Sequence, residues 1–119
     1  MDAIPIMVSK LPKWMMANMG NLKTLMMTLK VLMSEPKRSI IRILSEGVKG
    51  TNDIYQSLKL EGFNIPRSTL YYNLSTLADM GIIEMAGYRE EGGGAPEKLW
   101  RLKTRKVGIN LVTGEIFKE

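Results

Sequence analysis

The 119-residue sequence contains no cysteine and no histidine. Their absence removes disulfides, thiolate and imidazole zinc sites, thiol nucleophiles and histidine acid–base chemistry together. Long apolar runs are missing too, and nothing approaches the roughly 18 residues a membrane span needs. The opening stretch MDAIPIMVSKLPKWMMANMG does not read as a secretory signal. Asp2 stands where a basic region belongs, and Pro5, Lys10 and Pro12 interrupt the apolar residues. We therefore expect a soluble, cytoplasmic protein with no membrane partner. No acid–base pair, nucleophile motif or metal set can be assembled, so we expect no catalytic residues, no metal, no cofactor and no enzyme activity.

What the chain does hold is ordinary for one globular domain: 45% hydrophobic and 24% charged residues. Its net charge of +5 is unevenly placed. Between Glu97 and Lys106, five bases (Lys98, Arg101, Lys103, Arg105, Lys106) face one acid, which suits an anionic partner.

Residues 1–20 carry Pro5 and Pro12, which break any long helix, and an apolar turn of Trp14, Met15, Met16 and Met19. Leu22, Leu25, Met26, Leu29 and Met33 then follow the i, i+3, i+4 spacing of an amphipathic helix, with Asn18 or Asn21 as its cap. Ser34-Glu35-Pro36 restarts the chain with Ser34 as its cap, and Ile40, Ile43 and Leu44 give a second helix its buried face before Gly47. A third helix, capped by Thr51, carries Ile54, Tyr55 and Leu58 and stops at Gly62. A fourth spans IPRSTLYYNLSTLADMG, starting at Pro66 or, capped by Ser68, slightly later.

Beyond Gly81 the pattern changes. IIEMAGYRE and EKLWRLK read as two strands joined by the flexible tip EGGGAP. A glycine-rich phosphate loop would run from strand to helix and continue into Lys-Ser or Lys-Thr, and neither holds here. The tail TRKVGINLVTGEIFKE reads as one or two more strands around Thr113-Gly114. The fold class is therefore α+β and mainly helical: a winged helix-turn-helix of three to four helices with a β-hairpin wing, plus a C-terminal strand segment.

On the fourth helix, Leu70, Leu74 and Leu77 fall on one side. Ser68, Tyr72, Ser75 and Asp79 lie opposite, flanked by Arg67 and Tyr71. Such a face donates and accepts hydrogen bonds without presenting a row of carboxylates, as the groove of double-stranded DNA requires. Plain solvation of an exposed helix would also accommodate these serines. On the hairpin, Arg89, Lys98, Arg101 and Lys103 supply cations for phosphate. Glu90 and Glu91 are expected to pair with Lys98 or Arg101 when DNA is absent.

STLYYNLSTLADMGIIE resembles the recognition-helix signature of PadR-like winged helix-turn-helix repressors, GTNDIYQSLKLEGFNI their preceding helix, and GGGAPEKLWRLK their wing. The likeness covers roughly residues 36–103. Its leucine-glycine-aliphatic element is shared with the ArsR and MarR groups. The resemblance implies that Arg67, Ser68, Thr69, Tyr71 and Tyr72 face DNA and that Arg89 and Lys98 belong to the wing. Two departures stand out. PadR-like proteins commonly dimerise through a helix after the wing, where this chain has strand-like sequence, and the metal-sensing ArsR branch needs ligands that are absent here.

Seven of the ten methionines fall between Met1 and Met27. They suit either the monomer's core or an adaptable interface. We expect residues 1–33 to dimerise through Trp14, Met15, Met19, Leu22, Leu25, Met26 and Leu29. Residues 34–103 form the DNA-binding domain and 104–119 an extension. The expected function is a homodimeric, sequence-specific transcriptional regulator on a pseudo-palindromic site. The rival expectations are a protein-interaction module and a sequence-indifferent chromatin-coating protein. No small-molecule effector is legible.

Overall fold

The computed structural model describes residues 19–90 and 94–119, with side chains from Leu22 onward. Trp14, Met15 and Asn18 lie outside the described residues. Among the described residues four helices follow one another: α1 (Met19–Leu32), α2 (Lys37–Leu44), α3 (Thr51–Leu60) and α4 (Arg67–Asp79). The strands are β1 (Lys49–Gly50), β2 (Ile83–Arg89), β3 (Glu97–Leu102), β4 (Val107–Ile109) and β5 (Ile116–Lys118). Among the described residues no helix is long and apolar enough to cross a membrane.

The core is built from the apolar stripes of α2, α3 and α4. Ile40, Leu44, Ile54, Leu58, Leu70, Leu74 and Leu77 join Ile82 and Ile83 at the start of the wing. Two helices end where their periodicity breaks at glycine. At Gly62 (φ 96°) and Gly81 (φ 75°) the backbone turns left-handed, a conformation that costs a side chain steric strain. Phe63 N–H then returns to Leu58 O, and Ile82 N–H to Leu77 O, satisfying the last carbonyls.

Four expected caps are replaced. Ser34 donates its hydroxyl backward to Val31 O, and the Glu35 carboxylate receives the Ser39 N–H and hydroxyl at the start of α2. Thr51 is not a cap but the first residue of α3; Gly50 is the N-cap, its N–H held by the Asp53 carboxylate at 2.9 Å. Thr51 is instead buried, because its hydroxyl links the helix to the wing. Pro66 precedes α4 in extended conformation with no side-chain cap, so Ser68 lies within the helix. Asn21 likewise lies inside α1.

The winged sheet has strand order β1-β3-β2, all antiparallel. The two-residue β1, absent from the sequence expectation, ties the start of α3 to β3. The tail forms a second antiparallel hairpin, β4-β5, beside the end of α4. Lys118 donates to Met80 O and the Thr104 hydroxyl to Gly81 O. Helix α1 rests on α2 and this hairpin, burying Leu25 and Leu32. Leu22, Met26, Leu29 and Met33 of the same expected stripe stay at the surface.

Leu74 is 1% exposed at the centre of this core. Leu74→Ala should lower the unfolding free energy by about 2–5 kcal/mol. Leu60→Ala, at an exposed position, should change it by less than about 0.5 kcal/mol. Urea titration of both variants measures the difference.

Candidate nucleic-acid interface

Burial of Leu70, Leu74 and Leu77 turns the other side of α4 outward. Tyr71 and Tyr72 are 52% and 69% exposed, with Ser68 and Ser75 exposed beside them and Thr69 half-buried. Asp79, in the last turn, is the helix's single acid. Arg67 opens the helix in a fixed pose: its Nη1 donates to Asn52 Oδ1 at 2.7 Å and its guanidinium stacks 4.3 Å from the Tyr55 ring centroid. The cation is oriented on one side and open to solvent on the other.

Sequence periodicity overlooked Asn73 and Lys37. Asn73 is 4% exposed, donating to Thr69 O at 2.8 Å and accepting from Lys37 Nζ at 2.6 Å. That bond holds the Lys37 ammonium 5.9 Å from the Tyr72 ring centroid. An i+3 step from Leu70 placed Asn73 at the core edge, and this was the available signal.

Strand register sorts the wing residues. Lys98 pairs with Tyr88, Arg101 with Glu84, and Arg89 with Glu97. Alternation along β3 puts Lys98 on the face of Trp100 and Leu102, toward the helices, and Arg101 on the opposite face. Arg101 Nε donates to Glu84 across the strands at 2.6 Å, so its expected partners Glu90 and Glu91 are replaced by its cross-strand neighbour. Glu91 lies outside the described residues. Lys103 is exposed just past β3, at the end of the wing remote from its tip.

Arg89, expected to reach out from the wing, is turned inward instead. Its Nη2 donates to the carboxylates of Asp53 and Glu97, each at 3.0 Å. Two acids within reach outcompete water for the guanidinium. Glu97 also accepts the Asn52 N–H at 3.3 Å, so this ion cluster fastens the wing to the first turn of α3. Gly50 passes so close that a Cβ there would collide with the Glu97 carboxylate and the Arg89 guanidinium. Trp100 completes the fastening: its indole N–H donates to the Thr51 hydroxyl at 3.0 Å, which donates to Lys98 O at 3.2 Å.

Between α4, the start of α3 and the wing runs an open groove of about 590 Å³, lined by Tyr71, Leu74, Ser75, Asn52, Lys98 and Trp100. The structure thus gathers Arg67, Ser68, Tyr71, Tyr72, Ser75 and Lys98 on one side, with Lys37 and Asn52 added. Arg89 and Arg101 are engaged elsewhere. Among the described residues no cluster of acids is arranged to hold a metal ion.

The Asp53 carboxyl sits below its usual range, chiefly because the Gly50 N–H, and then Arg89, stabilise the charged form against partial burial. A depressed folded pKa contributes stability that is present above the ordinary aspartate value, about 3.9, and lost as pH falls through the lower folded value. Asp53→Asn should therefore melt at a lower temperature than wild type at pH 7. It should also lose less of its remaining stability on acidification below pH 4, as read from melting curves across the pH range.

No protein-family model matches the sequence, and no curated protein matches it. Among solved structures, the fold is similar to that of Bacillus subtilis PadR in complex with operator DNA. The match has 24% identity and a TM-score of 0.46, over 53% of this chain and 37% of that one. It is similar also to the Vibrio cholerae ferric uptake regulator, at 22% identity and a TM-score of 0.45, over 72% of this chain and 66% of the other. The Streptococcus pyogenes regulator PerR gives 20% identity and a TM-score of 0.47, over 76% and 66%. The chain thus spans little more than a third of the PadR chain and about two thirds of the other two. The likeness is one of fold.

Proposed function

We propose that this winged helix-turn-helix protein is a sequence-specific DNA-binding transcriptional regulator, acting as a homodimer on a pseudo-palindromic site. The observation that carries the reading is the outer side of α4. Two exposed tyrosines and two exposed serines form a hydrogen-bonding strip, with Lys37, Arg67 and Lys98 around it.

In this mechanism α4 enters the major groove. Tyr71, Tyr72 and Ser75 meet base edges, while Arg67, Lys37 and Lys98 meet phosphates on either side. The N-terminal turn of α4 directs its free N–H groups at the backbone. The groove between α4 and the wing takes the phosphate strand that separates major from minor groove. Residues 34–103 perform this binding, residues 1–33 pair the subunits, and residues 104–119 brace the end of α4. Two-fold pairing sets the recognition helices about one DNA turn, roughly 34 Å, apart. Occlusion or recruitment at a promoter then follows from occupancy of the site.

Selection from a random oligonucleotide pool with purified protein tests the reading. A recovered inverted repeat with half-sites one turn apart is the expected result. Recovery of no preferred sequence would favour a coating protein, and absence of DNA binding a protein-interaction module.

The site residues separate into two classes under salt titration. Lys98→Ala should reduce the slope of log K against log salt by about 0.9, one phosphate contact, on any duplex. Arg101→Ala, which removes a cation already engaged by Glu84 on the other face of the wing, should leave the slope nearly unchanged. Tyr72→Ala should weaken binding to the selected site by about 1–3 kcal/mol and binding to random duplex by much less.

A further inference from the structure

Helix α1 and the residue after it carry two apolar stripes, and among the described residues only one is buried against the subunit's own core, the other touching it through the Met33 sulfur, which accepts from Arg38 Nη1 at 3.3 Å. Leu25 and Leu32, seven residues apart, are 7% and 9% exposed against the subunit's own α2 and C-terminal hairpin. Leu22, Met26, Leu29 and Met33 form the second stripe, 39%, 48%, 40% and 59% exposed. At 100° per residue the second stripe lies roughly a quarter-turn from the first. Leu25, expected on the dimer face, is therefore spent within its own subunit, and Met33 takes a place on the outer stripe.

The outer stripe has a specific spacing. Leu22, Met26, Leu29 and Met33 are separated by four, three and four residues, the repeat of a coiled-coil seam. The same alternation continues backward in the sequence through Met19 and Met15. A helix covering only its own core has no need of a second seam in this register. Methionine at alternate positions supplies side chains that adapt to their own symmetry mates across a two-fold axis.

We propose that a second copy of this chain docks along the seam Leu22–Met26–Leu29–Met33, with the two α1 helices parallel and in register. The orientation follows from charge. Lys23 and Lys30, seven apart, flank one edge of the seam, and α1 contains no acid. An antiparallel pair would bring the two lysine edges together. A parallel pair places them on opposite sides of the seam, where their methylene stems cover it and their ammonium groups reach water. A two-fold axis along the seam also delivers both winged domains to the same end. The Leu25–Leu32 side of each helix stays free for its own subunit.

This proposal rests on the homodimer reading above and is tested without DNA. The chain has no cysteine, so each single-cysteine variant carries one reactive thiol. In a parallel pair Met26 meets its own counterpart, within the roughly 4.4–6.8 Å between Cα atoms that a disulfide needs. Met26→Cys should form a disulfide-linked dimer under mild oxidation. Met27→Cys, 61% exposed but well off the seam, should remain mostly monomeric on a non-reducing gel. Equal linking of both variants, or none with Met26→Cys, would overturn the seam. Linking only in a mixture of Met26→Cys with Leu29→Cys would overturn the parallel orientation. Sedimentation of the wild-type chain separates the two levels. A wild-type dimer with no Met26 linkage removes the seam and leaves the homodimer standing, whereas a wild-type monomer removes both.

Discussion

The burial of Leu70, Leu74 and Leu77 is the constraint on which the rest depends. Three leucines held at 0–1% exposure leave α4 one rotational setting, because turning it by a single residue would push apolar surface into water and a tyrosine into the core. Each side chain on the outer strip takes its direction from that setting. Tyr71, Tyr72 and Ser75 face outward because the leucines cannot. Asn73, caught at the boundary, satisfies its amide internally and positions Lys37 in doing so. Core and interface are two sides of one helix.

A second constraint sets the wing against that helix. Arg89, Asp53 and Glu97 join the wing to the first turn of α3 from the outer face of the sheet, and Thr51, Trp100 and the Lys98 carbonyl join it from the inner face. The sheet is thus fastened on both sides at the edge bordering the groove. Cation number alone is a poor guide to the nucleic-acid surface for this reason. Arg89 and Arg101 count toward the +5 net charge, yet their guanidinium groups are engaged by carboxylates of the same subunit. Lys98 and Lys37 border the strip, and Lys37 was not singled out by the basic cluster of the tail.

Legibility varied with the range of the interactions involved. The four helices could be read because their apolar residues repeat at helical spacing and because Gly62 and Gly81 stop two of them. The wing could be read because Gly-rich sequence cannot continue a strand. Caps were read poorly: at α2 and α3 the acceptors are Glu35 and Asp53, carboxylates four and three residues from the N–H groups they hold, and not the serine and threonine nearest the helix start. Strand β1 has two residues and no periodicity, so it exists only through its pairing with Leu99 and Trp100. In α1 the periodicity was real but merged two stripes into one. Spacing alone does not say which face the rest of the chain has already covered.

What the sequence determined by itself was the order of elements, the identity of the core and the polar character of the outer side of α4. Those properties follow from local periodicity and from residues that can or cannot adopt a given backbone. Tertiary structure decided which cations border the groove, which side of the wing each occupies and which stripe of α1 is buried against α2 and the C-terminal hairpin. Each of these depends on strand register and on partners tens of residues away in the chain. An ion pair or a cross-strand neighbour exists only after the chain has closed upon itself.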